Sequence, residues 1–388
     1  MADSVLRASN WLTESGIQHR GVDPSLRGGV AAWYEIEEKQ YPFLYSEITG
    51  YALSALIFLY NIYKDKKYLD RAQLGANWLI QNALHPDGGI KTRFYLVKHY
   101  VSPNYCFHYG RIYTFDTAMV GYGLLQLYKI IPKEEYRTAI EKISVFLIQK
   151  MRAKDGTFYP YYDSKDKKFK EDLEKWSDQR GTFHAKLALF FIDYYRLTCN
   201  PVYKKYAASL LNASQKVQRK DGRFITGKKD GSTHLHPHFY TLEGLLYGAV
   251  YLKRNDYLKT AVKGWKWSLT GVSADGSVSS IYMDRSFLHH ERSDIVAQIL
   301  RIGAILCELE PSIIKPHLAL LKKIKGHLLL FQYEGDRKQK GGFIYGAATD
   351  GLIRDHLNSW STMFALQALW MYESFVTKRK SLNLENFI

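Results

Sequence analysis

The sequence repeats itself. An amphipathic helix that closes in Asp-Gly or Gly-Gly and a short extended piece recurs from Trp78 to Ile90 (WLIQNALHPDGGI), Phe146 to Phe158 (FLIQKMRAKDGTF), Leu211 to Phe224 (LNASQKVQRKDGRF), Trp267 to Val278 (WSLTGVSADGSV) and Leu329 to Phe343. A degenerate first copy runs from Trp11 to Val30. Self-similarity at a fixed period is the mark of a repeat architecture. The glycines have a backbone role, because they admit the left-handed conformation that ends a helix and turns the chain.

Between successive copies lies a second kind of helix, apolar around most of its circumference and opening with a polar cluster. The stretch from Tyr45 to Tyr60 (YSEITGYALSALIFLY) is one, and others begin near Phe115, Gly181, Phe239, Arg292 and Trp360. A helix that is apolar all round is a buried helix. Six outer and six inner helices predict an all-α (α/α)6 toroid, because helical hairpins that close in a ring bury one another's apolar faces. Short β-hairpin-like loops are expected at the cleft end. Residues 1–377 read as one such domain, followed by a tail from Lys378 to Ile388 (KRKSLNLENFI) with a basic start.

Composition fits this reading: 46% hydrophobic and 24% charged residues give a chain of 388 residues enough apolar surface for a large core. No stretch approaches eighteen uncharged apolar residues, and the opening MADSVLRASNWLTESG lacks a signal-peptide layout. The expectation is a soluble cytoplasmic protein. Cys106, Cys199 and Cys307 stand far apart with no CxxC pair, so they read as structural thiols. The formal charge of +16 favours an anionic partner. No nucleic-acid-binding motif is present, which leaves acidic polysaccharide as the polyanion of choice.

The geometry of the repeat sends every Asp-Gly turn into the N-terminus of an inner helix, so these termini converge at one end of the ring and offer backbone N–H groups to an anion. Basic residues fall in the same turns, among them Lys91, Arg93, Lys165, Lys170, Arg223 and Arg337. Polar residues open each inner helix: Ser46, Glu47 and Thr49; Asp116 and Thr117; Arg180, Thr182, His184 and Lys186; His236, His238, Tyr240 and Glu243; Glu291, Arg292, Asp294 and Gln298; Asn358, Ser361 and Thr362. Capping accounts equally well for Ser46, Asp116, Asp294 and Asn358. It does not account for Glu243 and Gln298, which sit a turn deeper. Aromatic residues crowd the same end, including Tyr45, Tyr105, Tyr109 and Tyr113 within a total of thirty tyrosines. Such residues offer an apolar face to a sugar ring and a hydroxyl to its polar edge, and ordinary packing between large helices is the plainer reading of any one of them.

The stretches YSEITGY at Tyr45 to Tyr51, ERSDIVAQILRI at Glu291 to Ile302 and NSWSTMFALQAL at Asn358 to Leu369 resemble polysaccharide-associated toroids related to the D-glucuronyl C5-epimerase catalytic domain. The resemblance implies an enzyme that modifies a uronic-acid glycan and associates with other polysaccharide-biosynthesis proteins. Epimerisation and β-elimination of a uronate both begin with loss of the C5 proton, and both require a base and neutralisation of the carboxylate. Tyr240, His238, a tyrosine from Tyr105 to Tyr113, or instead Glu243, are candidates for proton transfer. Arg180 and Arg292 are candidates for the carboxylate, with Tyr45, Tyr105, Tyr109, His184, Gln298, Asn358 and Trp360 as further substrate-binding groups. A hydrolase would use two facing carboxylates, for which Glu47, Asp116, Glu243 and Asp294 are available. A non-catalytic glycan-binding toroid would use the same aromatic and Arg residues. The alternate spacing of His234, His236 and His238 is not a helical zinc pair, and no nucleotide fingerprint is present, so no metal and no cofactor are expected.

Overall fold

All six turn glycines of the repeat sit in the left-handed region: Gly28, Gly88, Gly156, Gly222, Gly276 and Gly341 have φ between 87° and 111°. A side chain at Gly88 would also put its Cβ 2.2 Å from the Lys142 carbonyl oxygen, and one at Gly341 would put it 2.4 Å from that of Arg7. Each of these two turns therefore lays its backbone directly on a neighbouring amphipathic helix, which only glycine permits.

The computed structural model describes residues 3–98, 100, 110–347, 351–377, 384–385 and 387–388. Tyr105 and Tyr109 lie outside the described residues. The helices are α1 (Asp3–Glu14), α2 (Ser46–Tyr63), α3 (Lys66–Trp78), α4 (Thr114–Tyr128), α5 (Glu134–Val145), α6 (Ala188–Thr198), α7 (Pro201–Lys216), α8 (Leu235–Tyr251), α9 (Asn255–Ser268), α10 (Ser293–Leu309), α11 (Pro311–Ile314), α12 (Leu318–Leu329) and α13 (Ser359–Thr377). Short strands punctuate them: β1 (Trp33–Glu35), β2 (Phe43–Tyr45), β3 (Arg93–Tyr95), β4 (Arg111–Tyr113), β5 (Tyr161–Asp163), β6 (Lys168–Lys170), β7 (Thr233–His234), β8 (Ile281–Met283), β9 (Ser286–Leu288), β10 (Phe343–Ala347) and β11 (Ile353–Asn358).

The two helix types differ in burial as their sequences require. In α2 every residue from Ser46 to Leu59 is buried, and in α10 every residue from Ser293 to Cys307. In α3 only Tyr68, Ala72, Gly75, Ala76 and Trp78 are buried, a stripe at spacings of one to four that marks an amphipathic outer helix. Local signals start the outer helices. The Asp65 carboxylate accepts from the Lys67 N–H at 2.9 Å, and the Asn200 side chain accepts from the Val202 N–H at 3.1 Å with Pro201 in the first turn.

The chain packs as two units. The first comprises Leu12–Asp172, Ser177–Arg180 and Glu385–Ile388. In it α2 crosses α4 at two glycines, where a Cβ on Gly123 would lie 2.3 Å from the Gly50 carbonyl oxygen. Antiparallel pairs β2–β3 and β4–β5–β6 deliver the chain straight into α2 and α4. The second comprises Met1–Trp11, Leu173–Trp176 and Gly181–Leu384. Here α10 packs on α13 and α8 on α9, β7–β8–β9 leads into α8, and β10–β11 leads into α13. Trp11 anchors the start of the chain by donating from its indole to the Gln339 side chain at 3.0 Å.

Two departures from simple helices stand out. The inner helix expected from Gly181 opens as a 3₁₀ segment, Thr182–Leu187, before α6 begins. Two outer helices close in single π turns, Leu79–Ala83 and Phe146–Met151, which the periodicity of the sequence does not reveal. No helix among the described residues is long and apolar enough to cross a membrane.

Candidate active site

A polar cluster in the buried interior of the second unit is organised by α8. On a helix His236, Tyr240 and Glu243 share one face, because they are separated by four, three and seven residues. Gly244 sets how closely that face meets its neighbour: a Cβ there would stand 2.2 Å from the Ala185 carbonyl oxygen. This approach brings the Lys186 ammonium to 2.9 Å from Glu243 Oε2. Arg301 of α10 donates to Glu243 Oε1 and, through its other nitrogen, to the Gln367 side chain at 3.0 Å. Lys186, Glu243 and Arg301 are wholly buried. The ammonium lies over the Tyr240 ring at 4.3 Å, and the Arg301 guanidinium over Phe364 at 4.5 Å. Burial pushes the Glu243 carboxyl up, but Lys186 and Arg301 outweigh it and hold the group below its ordinary value. Glu243 is an ionised acceptor between two cations.

Gln298 connects this triad to His236. Its amide donates to Glu243 Oε1 at 3.3 Å, and its carbonyl oxygen stands 2.8 Å from His236 Nδ1. The same ring nitrogen lies 3.1 Å from Asp294 Oδ2. Asp294 is itself held by both arms of the Arg292 guanidinium, by the Trp360 indole at 3.0 Å and by the Ile295 N–H at 2.9 Å. Burial pushes the Asp294 carboxyl up, and Arg292 followed by His236 brings it back below its usual range. Burial holds His236 neutral down to about 4. Since both groups facing Nδ1 are acceptors, the neutral ring carries its proton there and presents an unprotonated Nε2. Half-buried Trp176 stands edge-on to this ring at 5.8 Å, and Tyr240 lies 4.3 Å from it.

A second imidazole belongs to the same neighbourhood. His356 on β11 stacks on Tyr345 of β10 at 5.1 Å, and the Arg292 guanidinium covers the Tyr345 ring at 4.7 Å. Asn358 caps α13 by accepting from the Ser361 N–H at 2.9 Å, which turns its amide nitrogen toward His356 Nε2 at 3.2 Å. His356 therefore accepts at Nε2 and carries its proton on Nδ1, the same tautomer as His236. Burial followed by Arg354 lowers it to about 3, against an opposing pull from Asp294.

The expected residues divide sharply. Glu243, Gln298, Asp294, Arg292, Trp360, Asn358 and Tyr240 come together around His236. His238 does not: its Nε2 faces the Gly264 carbonyl at 3.3 Å, and its ring packs on Trp267 and Phe224 at 5.1 and 5.6 Å. His236 and His238 thus point to different partners, as alternate residues on a helix must. Arg292 spends both arms of its guanidinium on Asp294 and so serves to hold that carboxylate. Arg180 pairs with Asp155 and Glu171, each at 3.1 Å. His184 is buried against Phe183 at 4.2 Å.

Glu47, Asp116, Tyr45 and Tyr113 assemble in the first unit. Asp116 and Glu47 are both buried, with Thr92 also beside Asp116. Burial, followed by the Glu47 charge, drives the Asp116 carboxyl well above its usual range. The Arg93 guanidinium lies 5.1 Å from both the Phe43 and Tyr45 rings. Nearby, Arg111 pairs with Asp178 at 2.8 Å and covers Tyr161 at 4.1 Å, and burial raises the Tyr113 phenol.

Comparison with solved structures identifies the architecture. A cellobiose 2-epimerase from Bacillus thermoamylovorans B4167 superposes with a TM-score of 0.74 at 12% identity, over 96% of this chain and 100% of that one. A D-mannose isomerase does so with 0.73 at 12% identity, over 96% of each chain. An unsaturated glucuronyl hydrolase from Bacillus sp. GL1 gives 0.69 at 16% identity, over 97% and 98%. The chain has the (α/α)6 toroid fold. No protein-family model matches the sequence, and no curated protein matches it.

Proposed function

We propose that this protein is a carbohydrate-modifying enzyme that removes and returns a proton on a sugar carbon bonded to a carbonyl group. Its proposed substrate is a glycan containing uronic acid, and the carbon is C5. The observation that carries this reading is His236: its Nδ1 is held by two acceptors, its Nε2 is left to take a proton, and burial keeps the ring neutral at physiological pH. In the forward step the C5–H pair moves into the substrate as an enolate while His236 Nε2 takes the proton. The His236 imidazolium so formed exchanges its proton with water and returns one to the enolate carbon, which leaves the ring neutral again.

Charge supports an anionic substrate. Lys186, Arg292 and Arg301 are three buried cations against two buried carboxylates, Glu243 and Asp294. That excess favours both a substrate carboxylate and the charge developing on an enolate. The superposed epimerase, isomerase and glucuronyl hydrolase are named for sugars, which agrees in substrate class. A hydrolase centred on Glu47 and Asp116 is less well supported. Glu47 is a near enough neighbour to raise the Asp116 carboxyl, whereas hydrolases separate such carboxyls by about 5–9.5 Å.

The test is NMR in deuterated water with a panel of uronic-acid glycans, with cellobiose and mannose as neutral controls. Deuterium at C5 in intact chains is expected, falling about 10²–10⁴-fold in His236→Gln while glycan affinity stays within a few-fold. Exchange only at C2 of a neutral sugar would overturn the uronate assignment. New reducing ends without exchange, or binding with no chemistry, would overturn proton abstraction.

A further inference from the structure

We infer that Glu243 and Gln298 are positioning residues that decide which ring nitrogen of His236 is protonated. The inference rests on the reading of His236 as the base. Glu243 itself is unsuited to that role, since each carboxylate oxygen already faces a buried cation, Lys186 at 2.9 Å on one side and Arg301 on the other.

An ionised carboxylate only accepts, so the end of the Gln298 amide that lies 3.3 Å from Oε1 must be the NH₂ group. An amide has two ends, and its carbonyl is thereby turned to His236 Nδ1 at 2.8 Å. A carbonyl also only accepts, so Nδ1 must donate. One nitrogen of a neutral imidazole holds the proton, and Nε2 is left bare. Were the amide reversed, its NH₂ would donate to Nδ1 and select the other tautomer, but its oxygen would face the Glu243 carboxylate, which is repulsive. Asp294 supports the same tautomer from 3.1 Å, but its oxygens are already shared among the Arg292 fork, the Trp360 indole and the Ile295 N–H. Gln298 is the closer acceptor and the one oriented by a fixed charge. Lys186 and Arg301 hold that charge in place, and Gln367 holds Arg301.

Two variants separate this role from simple packing. Gln298→Met keeps the volume and removes both ends of the amide. Gln298→Glu, protonated beside Glu243, keeps a donor toward Glu243 and an acceptor toward His236. Long-range ¹H–¹⁵N spectra of histidine-labelled protein report the protonation of each ring nitrogen with no substrate present. The wild type is expected to show Nδ1–H alone at His236 and Gln298→Met a mixture of tautomers, with Gln298→Glu restoring Nδ1–H. Turnover should follow: kcat for deuterium exchange falls about 10–100-fold in Gln298→Met with KM little changed, and Gln298→Glu recovers most of it. An unchanged tautomer in Gln298→Met, or Nε2–H in the wild type, would overturn the inference. Absence of exchange on every glycan would instead sink the proposed function, while the spectra still decide the role of Gln298.

Discussion

Removing Glu243 and removing Lys186 should have very different consequences, although each deletes one partner of the same buried ion pair. Glu243 stands between two cations, and all three groups are wholly buried. Glu243→Gln leaves Lys186 and Arg301 as two unneutralised charges in the interior, and stranding a buried ion costs about 3–5 kcal/mol. That is a large share of the roughly 5–15 kcal/mol by which a typical domain is stable. Lys186→Met instead leaves the balanced pair Glu243–Arg301. It forfeits the ammonium contact with Tyr240 at 4.3 Å, about 2 kcal/mol at a desolvated site, and recovers the cost of burying an excess charge. The expected loss is about 0–2 kcal/mol. The double variant should be more stable than Glu243→Gln alone, with a coupling of about 1–3 kcal/mol. Urea denaturation of the four proteins, compared at constant m-value, measures the cycle. If Lys186→Met cost as much as Glu243→Gln, or the two losses simply added, the charge accounting would be wrong.

The remaining predictions concern pH, packing and the substrate. Burial holds His234, His236 and His238 to about 4 and His356 to about 3, below the ordinary histidine value of about 6.5. The unfolded chain therefore binds protons in that window that the folded chain does not. The imidazoles' contribution to stability is complete above about pH 6.5 and is lost as the pH falls toward 4, where the lowered carboxyls Glu243 and Asp294 add a loss of the same sign and the raised Asp116 carboxyl opposes it. Urea midpoints measured from pH 7.5 to 4 should fall steadily; a flat profile would contradict buried neutral imidazoles. Gly244→Ala should destabilise by about 1–3 kcal/mol or more, since its Cβ would stand 2.2 Å from the Ala185 carbonyl oxygen. Gly326→Ala, in exposed α12 with nothing within 4 Å of the new methyl, should stabilise by about 0.5–1 kcal/mol. Thermal melts read both signs. Trp176→Ala should raise KM for the glycan about 5- to 10-fold and leave kcat nearly unchanged, because the half-buried ring stands beside His236 and offers a stacking face worth about 1 kcal/mol.

Much of the fold is written in the repeat, because a turn that needs positive φ and contact with a neighbouring backbone leaves glycine as the fitting residue. Those constraints are local, and they recur at Gly28, Gly88, Gly222, Gly276 and Gly341. The site is written less directly. Glu243 and Gln298 betray themselves as charge and amide inside apolar helices. The choice between His236 and His238 was also available from helix geometry. Counting back from Glu243 at about 100° per residue puts His236 about 20° from the same face and His238 about 140° away. Arg301 carries a further legible signal, a guanidinium in the apolar run ILRIGAIL, two turns below the polar cluster that opens α10. His356, Tyr345 and Trp176 had no such signal. They stand on short strands and a 3₁₀ turn, where position depends on pairing with distant segments. The pairing of Arg180 is hidden for a related reason, because nothing in its neighbourhood announces Asp155 and Glu171 as its partners.

The buried ion triad itself argues for function. Three charged groups with no solvent access are an expensive way to fill a core, and apolar residues of similar volume are often as stable or more so. Packing alone therefore gives no reason for Lys186, Glu243 and Arg301. A fixed negative charge facing the Gln298 amide does give one, because an amide that is free to turn cannot specify a tautomer, and a base with the wrong nitrogen protonated cannot take a proton. On this reasoning the triad trades stability for the orientation of a single hydrogen bond. Replacing Lys186, Glu243 and Arg301 together by apolar residues should then give a protein that melts no lower than the wild type, yet loses both the single His236 tautomer and deuterium exchange at C5.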